Sequence, residues 1–296
     1  MKEKGKEPRI IILDIDGTFF GNVNNYVDRW YVLEYIKARK MVGSDRLSVS
    51  FPESSRLVRP GFIDFIKELG PKCEFFIYTA GASEWVNYII PIMEATYGIR
   101  FRRPIFTRDD CVWGPAHSES TKRGGLMYVK SMETIWPRIV KSLVGDYPAL
   151  RNDEVCDRVF DNGLMFVDNT PFVLMDSHER QLVCPSYEYE EYLDALEGIP
   201  PTILNDPMVK EYIKAQQIVS PIQTTLDDPM EALVQYHTHM ASKALNALAI
   251  NRKTNALNDD FWIVLLQRIQ RRIKNKSGLV FDAKTIRALI PHKAIP

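Results

Sequence analysis

Two aspartates, Asp14 and Asp16, close the apolar run "RIIIL" one residue apart, and "GT" follows at once in "DIDGT". Alternate residues of a strand face the same side, so two carboxylates there repel unless a cation lies between them or one holds a proton. Polar residues end two further apolar runs: Thr79 after "CEFFIY", and Asp168 with Asn169 after "LMFV". Lys130, in "YVKSM", stands just before a helix-like segment. These are the parts that phosphoryl transfer requires. One carboxylate can attack phosphorus and a second can protonate the leaving alkoxide. A lysine and a hydroxyl can hold the other phosphate oxygens. A hard divalent cation such as magnesium, with oxygen ligands, would relieve the crowding of the carboxylates.

Elements that could place these residues follow from pattern and punctuation. "RIIIL" is continuous and β-branched, which suits a strand covered on both faces. "RPGFIDFIKELG" reads as a helix with Arg59 and Pro60 at its entry, Phe62, Phe65, Ile66 and Leu69 on one face, and Gly70 closing it. "CEFFIYTAGA" gives a second strand ending in Thr79. "SEWVNYIIPIMEATYG" gives a helix with Ser83 as its cap and Gly98 beyond it. A polar loop around "GPAHSESTKRGG", a helix from Met132, the strand "LMFV" and a short strand in "QLVCP" complete the alternation. Strands alternating with helices predict an α/β fold on a Rossmann-like parallel sheet flanked by helices, with ligands at the carboxyl ends of the strands. Asp14 and Thr79 fall at that edge.

Helical spacing also marks Trp30, Leu33, Ile36 and Val42, and the pattern is helix after helix from Gly198 onward. Asp228 caps one such run, with Met230, Leu233, Val234, Met240, Leu245 and Leu248 at near-helical spacing. Phe261, Leu265, Ile269 and Ile273 form the seam of another. The expected division is residues 1–197 for the α/β domain and 198–296 for an α-helical C-terminal extension.

Composition sets the bounds. The chain is 45% hydrophobic, enough for a sizeable core, and its 38 basic and 38 acidic residues cancel. No global field favours nucleic acid or an anionic membrane, so any substrate must be read from a site. Cys73, Cys111, Cys156 and Cys184 form no C-x-x-C pair and begin no C-x5-R loop, which points away from structural zinc, disulfide frameworks and cysteine-dependent phosphatase chemistry. The run Ile10 to Leu13 is too short for a signal peptide or a span, and the expectation is an intracellular protein, cytoplasmic or nuclear.

D-x-D-G-T after an apolar strand resembles the first motif of the haloacid dehalogenase superfamily. "RPGFIDFIKEL", "FFIYTAGASEW" and "VDNTP", in that order, resemble one branch of it: the RNA polymerase II C-terminal-domain phosphatases and the NLI-interacting-factor-like proteins. The match runs from about Ile10 to Leu196. The resemblance implies a haloacid dehalogenase-like fold and a magnesium-dependent phosphatase acting on phosphoserine or phosphothreonine of a protein. It implies Asp14 as nucleophile, forming an aspartyl-phosphate, and Asp16 as general acid and then base. Thr18, Thr79, Ala80 and Lys130 would bind phosphate, and Thr18 would also orient Asp16 or its loop. Asp14, Asp16, Asp168 and Asn169 would hold Mg2+. Lys122 and Arg123 are alternatives to Lys130.

Other readings stand beside this one. The same chemistry could serve a nucleic-acid 3′-phosphate or a small metabolite, and the fold could be retained as a scaffold without catalysis. Asp16 could cap a turn, and "DNTP" could be a turn. His237 and His239 lie two apart on a helical pattern and diverge, so they make no metal pair. The run Arg268 to Lys276 reads as the solvated face of an amphipathic helix. Oligomeric state is not encoded in any of these features.

Overall fold

In the computed structural model, the structure describes residues 7–21, 57–115, 126–187, 207, 259–274 and 279–289. The helical runs expected at Trp30 to Val42 and after Asp228, together with His237, His239, Lys122 and Arg123, lie outside these residues. The chain divides into two compact units, one of Met1–Phe20, Val58–Tyr187 and Asp259–Pro296, the other of Gly21–Leu57 and Glu188–Asn258. Every element below belongs to the first.

Four parallel strands form the sheet: β1 (Ile10–Leu13), β2 (Glu74–Ile77), β5 (Leu164–Asp168) and β6 (Gln181–Val183), in the order β2-β1-β5-β6. All residues of β1, β2 and β5 are buried, as continuous apolar runs require when helices cover both faces. Leu13 pairs with Ile77 on one side and Val167 on the other, so the residues after these three strands emerge along one edge.

Helix α1 (Phe62–Leu69) buries Phe62, Phe65, Ile66 and Leu69, the face its spacing predicts. Its N-cap Gly61 has φ 77°, where an L side chain is strained, and an added Cβ would meet Ile263 Cγ1 at 2.5 Å. Helix α2 (Ser83–Tyr97) ends at Gly98 in the left-handed conformation. Ser83 does not cap it. Ala82 holds the cap position without a side-chain bond, and Ser83 Oγ instead donates to Asp109 and meets Thr107 Oγ1 at 2.7 Å.

Strands β3 (Val112–Pro115) and β4 (Leu126–Val129) pair antiparallel as a separate ribbon flanking the polar loop. Helix α3 (Met132–Leu143) starts on Ser131, whose hydroxyl accepts from Thr134 N. Helix α4 (Asp153–Gly163), capped by Asn152, leads into β5. It buries only Val159 and Gly163, so its sequence carries too weak an apolar stripe to announce a helix.

Two further helices, α5 (Phe261–Lys274) and α6 (Ala283–Leu289), pack on this sheet unit. Helix α5 buries Phe261, Trp262, Leu265 and Ile269. Trp262 therefore joins the expected seam, and Ile273 is only half-buried. The Trp262 ring lies 5.2 Å from that of Phe62 and 4.7 Å from that of Phe65, seating α5 on α1. All four cysteines are free thiols, and burial raises Cys73 and Cys184 to about 12, so they behave as small hydrophobes.

Candidate active site

Parallel pairing brings the chemistry-bearing residues to the carboxyl edge of three neighbouring strands. Asp14 follows β1 and its N–H donates to Val167 O at 3.0 Å, while Asp168 ends β5 directly beside it. Thr79 lies two residues beyond β2, buried, with its hydroxyl accepting from Gly81 N at 3.1 Å. Lys130 is brought in from outside the sheet, on a backbone that exchanges hydrogen bonds with Val173 and Met175.

Lys130 Nζ lies 2.6 Å from Asp14 Oδ1 and 2.6 Å from Asp168 Oδ2. All three side chains are almost wholly buried, Lys130 being 2% exposed. Burial alone would lower the lysine pKa, but the two carboxylates outweigh it and hold the ammonium charged well above the lysine range. Tyr78 and Phe166 present their rings to the same ammonium.

The second oxygen of Asp14 is held by Thr18. Thr18 Oγ1 stands 3.1 Å from Asp14 Oδ2 and 3.2 Å from Asn169 Oδ1, and it accepts from Asn169 N at 3.1 Å. The Asn169 amide is oriented from its other end, where Nδ2 donates to Ser186 Oγ at 3.2 Å. Gly17 makes this possible. Its φ is 72°, and a Cβ there would fall 2.6 Å from Asn169 Nδ2. Asp168 spends its remaining oxygen on Thr170 N at 2.6 Å. Both its oxygens are thus engaged within the chain.

Asp16 is only partly covered at the rim. Burial first, then the Asp14 charge, raises its pKa to about 6, against Lys130, a Trp85 hydrogen bond and Arg108. A carboxyl so tuned can hold a proton near neutrality and give it up. Gly81 lies beside it, where a Cβ would make ordinary contact with Asp16 Oδ2 at 3.4 Å.

Asp14, Thr18, Lys130, Asp168 and Asn169 are therefore joined by direct contacts, and Asp16 and Thr79 flank them. Ala80 is placed by its carbonyl, which accepts from Arg108 Nε at 2.8 Å. Ser186 and Arg108 are neighbours that sequence reasoning missed. Neither carries a motif, and only the fold brings them close. Arg59 was expected only to open α1. It is in fact buried and bonded to the carbonyls of Thr18 and Pro185 at 3.0 and 2.7 Å.

The fit of a divalent cation can be judged from the donors. Among the described residues no three of His, Cys, Asp and Glu are grouped to hold a metal ion. Asp14 Oδ2 and Asn169 Oδ1 do converge on one small hydroxyl, however, and both are hard oxygen donors. Magnesium is commonly bound through one or two carboxylates plus substrate phosphate and water, so a small oxygen set fits it.

The profile of the NLI interacting factor-like phosphatase family matches residues 9–199. The chain belongs to this family of phosphatases. Among solved structures it is similar to the fission yeast RNA polymerase II CTD phosphatase Fcp1-R271A bound to beryllium fluoride, with 16% identity and a TM-score of 0.39, covering 90% of this chain and 62% of that one. It is also similar to a structure of Fcp1, described as an essential RNA polymerase II CTD phosphatase, with 17% identity and a TM-score of 0.36, covering 84% and 66%. The chain thus spans less than two thirds of the length of either structure. No curated protein matches it. Among the described residues no helix is long and apolar enough to cross a membrane.

Proposed function

We propose that the chain is a magnesium-dependent phosphomonoester hydrolase acting on phosphoserine or phosphothreonine of a protein. The observation that carries this reading is Lys130 Nζ bridging Asp14 and Asp168 at 2.6 Å, with Thr18 on the second Asp14 oxygen. A carboxylate held at both oxygens keeps one orientation, which a nucleophile needs. Asp14 attacks phosphorus and Asp16, protonated, gives its proton to the leaving alkoxide. Asp16 then takes a proton from the water that hydrolyses the aspartyl-phosphate. Lys130 and Thr79 offset charge on the phosphoryl oxygens. Asp14, the Asp16 backbone carbonyl and Asn169 would hold magnesium, with Asp168 serving to fix Lys130. When bound, the cation would supply Lewis-acid polarisation of a phosphate oxygen and relief of carboxylate repulsion.

A polypeptide substrate is supported by the rim. Trp113 on β3 is 57% exposed and packs edge-on against Tyr128 on β4, beside Arg108. An open aromatic ledge suits an extended chain better than a small enclosed metabolite. Hydrolysis of p-nitrophenyl phosphate and of a panel of phosphoserine and phosphothreonine peptides, with and without magnesium, tests the reading. Turnover that persists in Asp14→Asn would refute it.

A further inference from the structure

Arg59 and Gly61, in "RPG", share an unexpected neighbour. Arg59 is 1% exposed and donates from Nε and Nη2 to the two carboxylate oxygens of Asp259, at 2.9 and 2.7 Å. A buried guanidinium demands such pairing, and a bidentate carboxylate fixes its plane. Its third nitrogen, Nη1, reaches both the Thr18 and Pro185 carbonyls. Those carbonyls belong to the two loops that meet Asn169, one through Thr18 Oγ1 and the other through Ser186 Oγ. Tyr187, next to Ser186, donates its N–H to Gly17 O at 2.7 Å and closes the loops on each other. Phe261 stacks on the guanidinium, its centroid 4.8 Å away, and Asp259 Oδ1 also accepts from Phe261 N. Gly61 has no side chain where Ile263 sits. The start of α5 is thus built onto the motif that holds the nucleophile loop.

We propose that Asp259 is a positioning residue for the site: through Arg59 it fixes the loops carrying Thr18 and Ser186, and so sets Asp14 and Asn169. On this view α5 completes the catalytic unit. The proposal deepens the phosphatase reading and rests on it.

The test uses the full chain in three forms besides the wild type: Asp259→Asn, Asp259→Glu and Trp262→Phe. Two quantities are read, the kcat and KM for p-nitrophenyl phosphate and the hydrogen exchange of amides 15–20 and 167–170 without magnesium. Asp259→Asn is expected to lower kcat by about 10–100-fold, with a smaller change in KM, and to speed exchange in both segments. Asp259→Glu keeps the charge and should lose less, which preserves the comparison if the asparagine variant folds poorly. Trp262→Phe should lower the unfolding temperature and leave kcat and exchange near wild type. Wild-type kcat and exchange in Asp259→Asn would overturn the proposal. So would equal kcat losses in Asp259→Asn and Trp262→Phe at equal loss of stability. If the wild type hydrolyses nothing, the phosphatase reading fails by itself. The exchange comparison then decides this proposal alone, faster exchange in both segments supporting it and unchanged exchange overturning it.

Discussion

Replacing Asp16 with asparagine, in protein stripped of divalent cations, removes a charge that the fold disfavours. Burial, and then the neighbouring Asp14 charge, raise Asp16 from 3.8 to about 6. A carboxyl whose pKa is raised on folding contributes stability that is full below the unfolded value and is lost as pH climbs through the folded one. Here that window runs from 3.8 to about 6. Its full width is worth at most about 3 kcal/mol, and partial solvation of Asp16 brings the expectation to about 2 kcal/mol. Asparagine stays neutral throughout. The variant should therefore be nearly as stable as the wild type at about pH 4 and more stable by about 2 kcal/mol at about pH 8. For a chain of this size that gain is roughly 4–8 °C in Tm. Denaturant melts in EDTA across this pH range measure it. A stability difference that does not change with pH, or a variant less stable than wild type at the alkaline end, would refute the reasoning.

Three further outcomes are expected. On the proposed mechanism Asp16 is first an acid, and burial with the Asp14 charge raises its pKa, so kcat/KM should fall on the alkaline side as Asp16 loses its proton; a profile with no alkaline fall removes it as the acid. Lys130→Met leaves two buried carboxylates without their cation and should cost about 3–5 kcal/mol of stability at neutral pH, with loss of turnover. Chemical denaturation would show it, and a cost below about 1 kcal/mol would contradict the ion-pair geometry. Gly17→Ala forces a side chain into φ 72° and onto Asn169. It should lose at least about 1–2 kcal/mol and most activity, whereas an unaffected variant would show that the loop adapts freely.

The residues that end strands were legible because a parallel sheet leaves its ligand edge at the carboxyl ends, and three apolar runs ended in polar residues there. Lys130 could be proposed but not placed, since the sequence gives no distance from a ribbon to a sheet. The ribbon itself was hidden by its polar loop, and α4 by its sparse apolar stripe. The seam at Phe261, Leu265 and Ile269 announced α5, but nothing in its spacing showed what it would cover. Arg59 read as the start of a helix because its partner, Asp259, lies 200 residues away. Pairing over such a separation leaves no local pattern. Ser83 misled for a different reason: a serine at a helix start usually caps, and here its hydroxyl is drawn instead to Thr107 and Asp109.

The covalent step proposed for Asp14 can be measured directly. Quenching the reaction in acid during turnover of a phosphorylated substrate, reducing the acyl phosphate with borohydride and sequencing by mass spectrometry would mark the attacked side chain. Homoserine is expected at position 14 and nowhere else, with no product in Asp14→Asn. Label at another carboxylate, or turnover with none at all, would contradict that step.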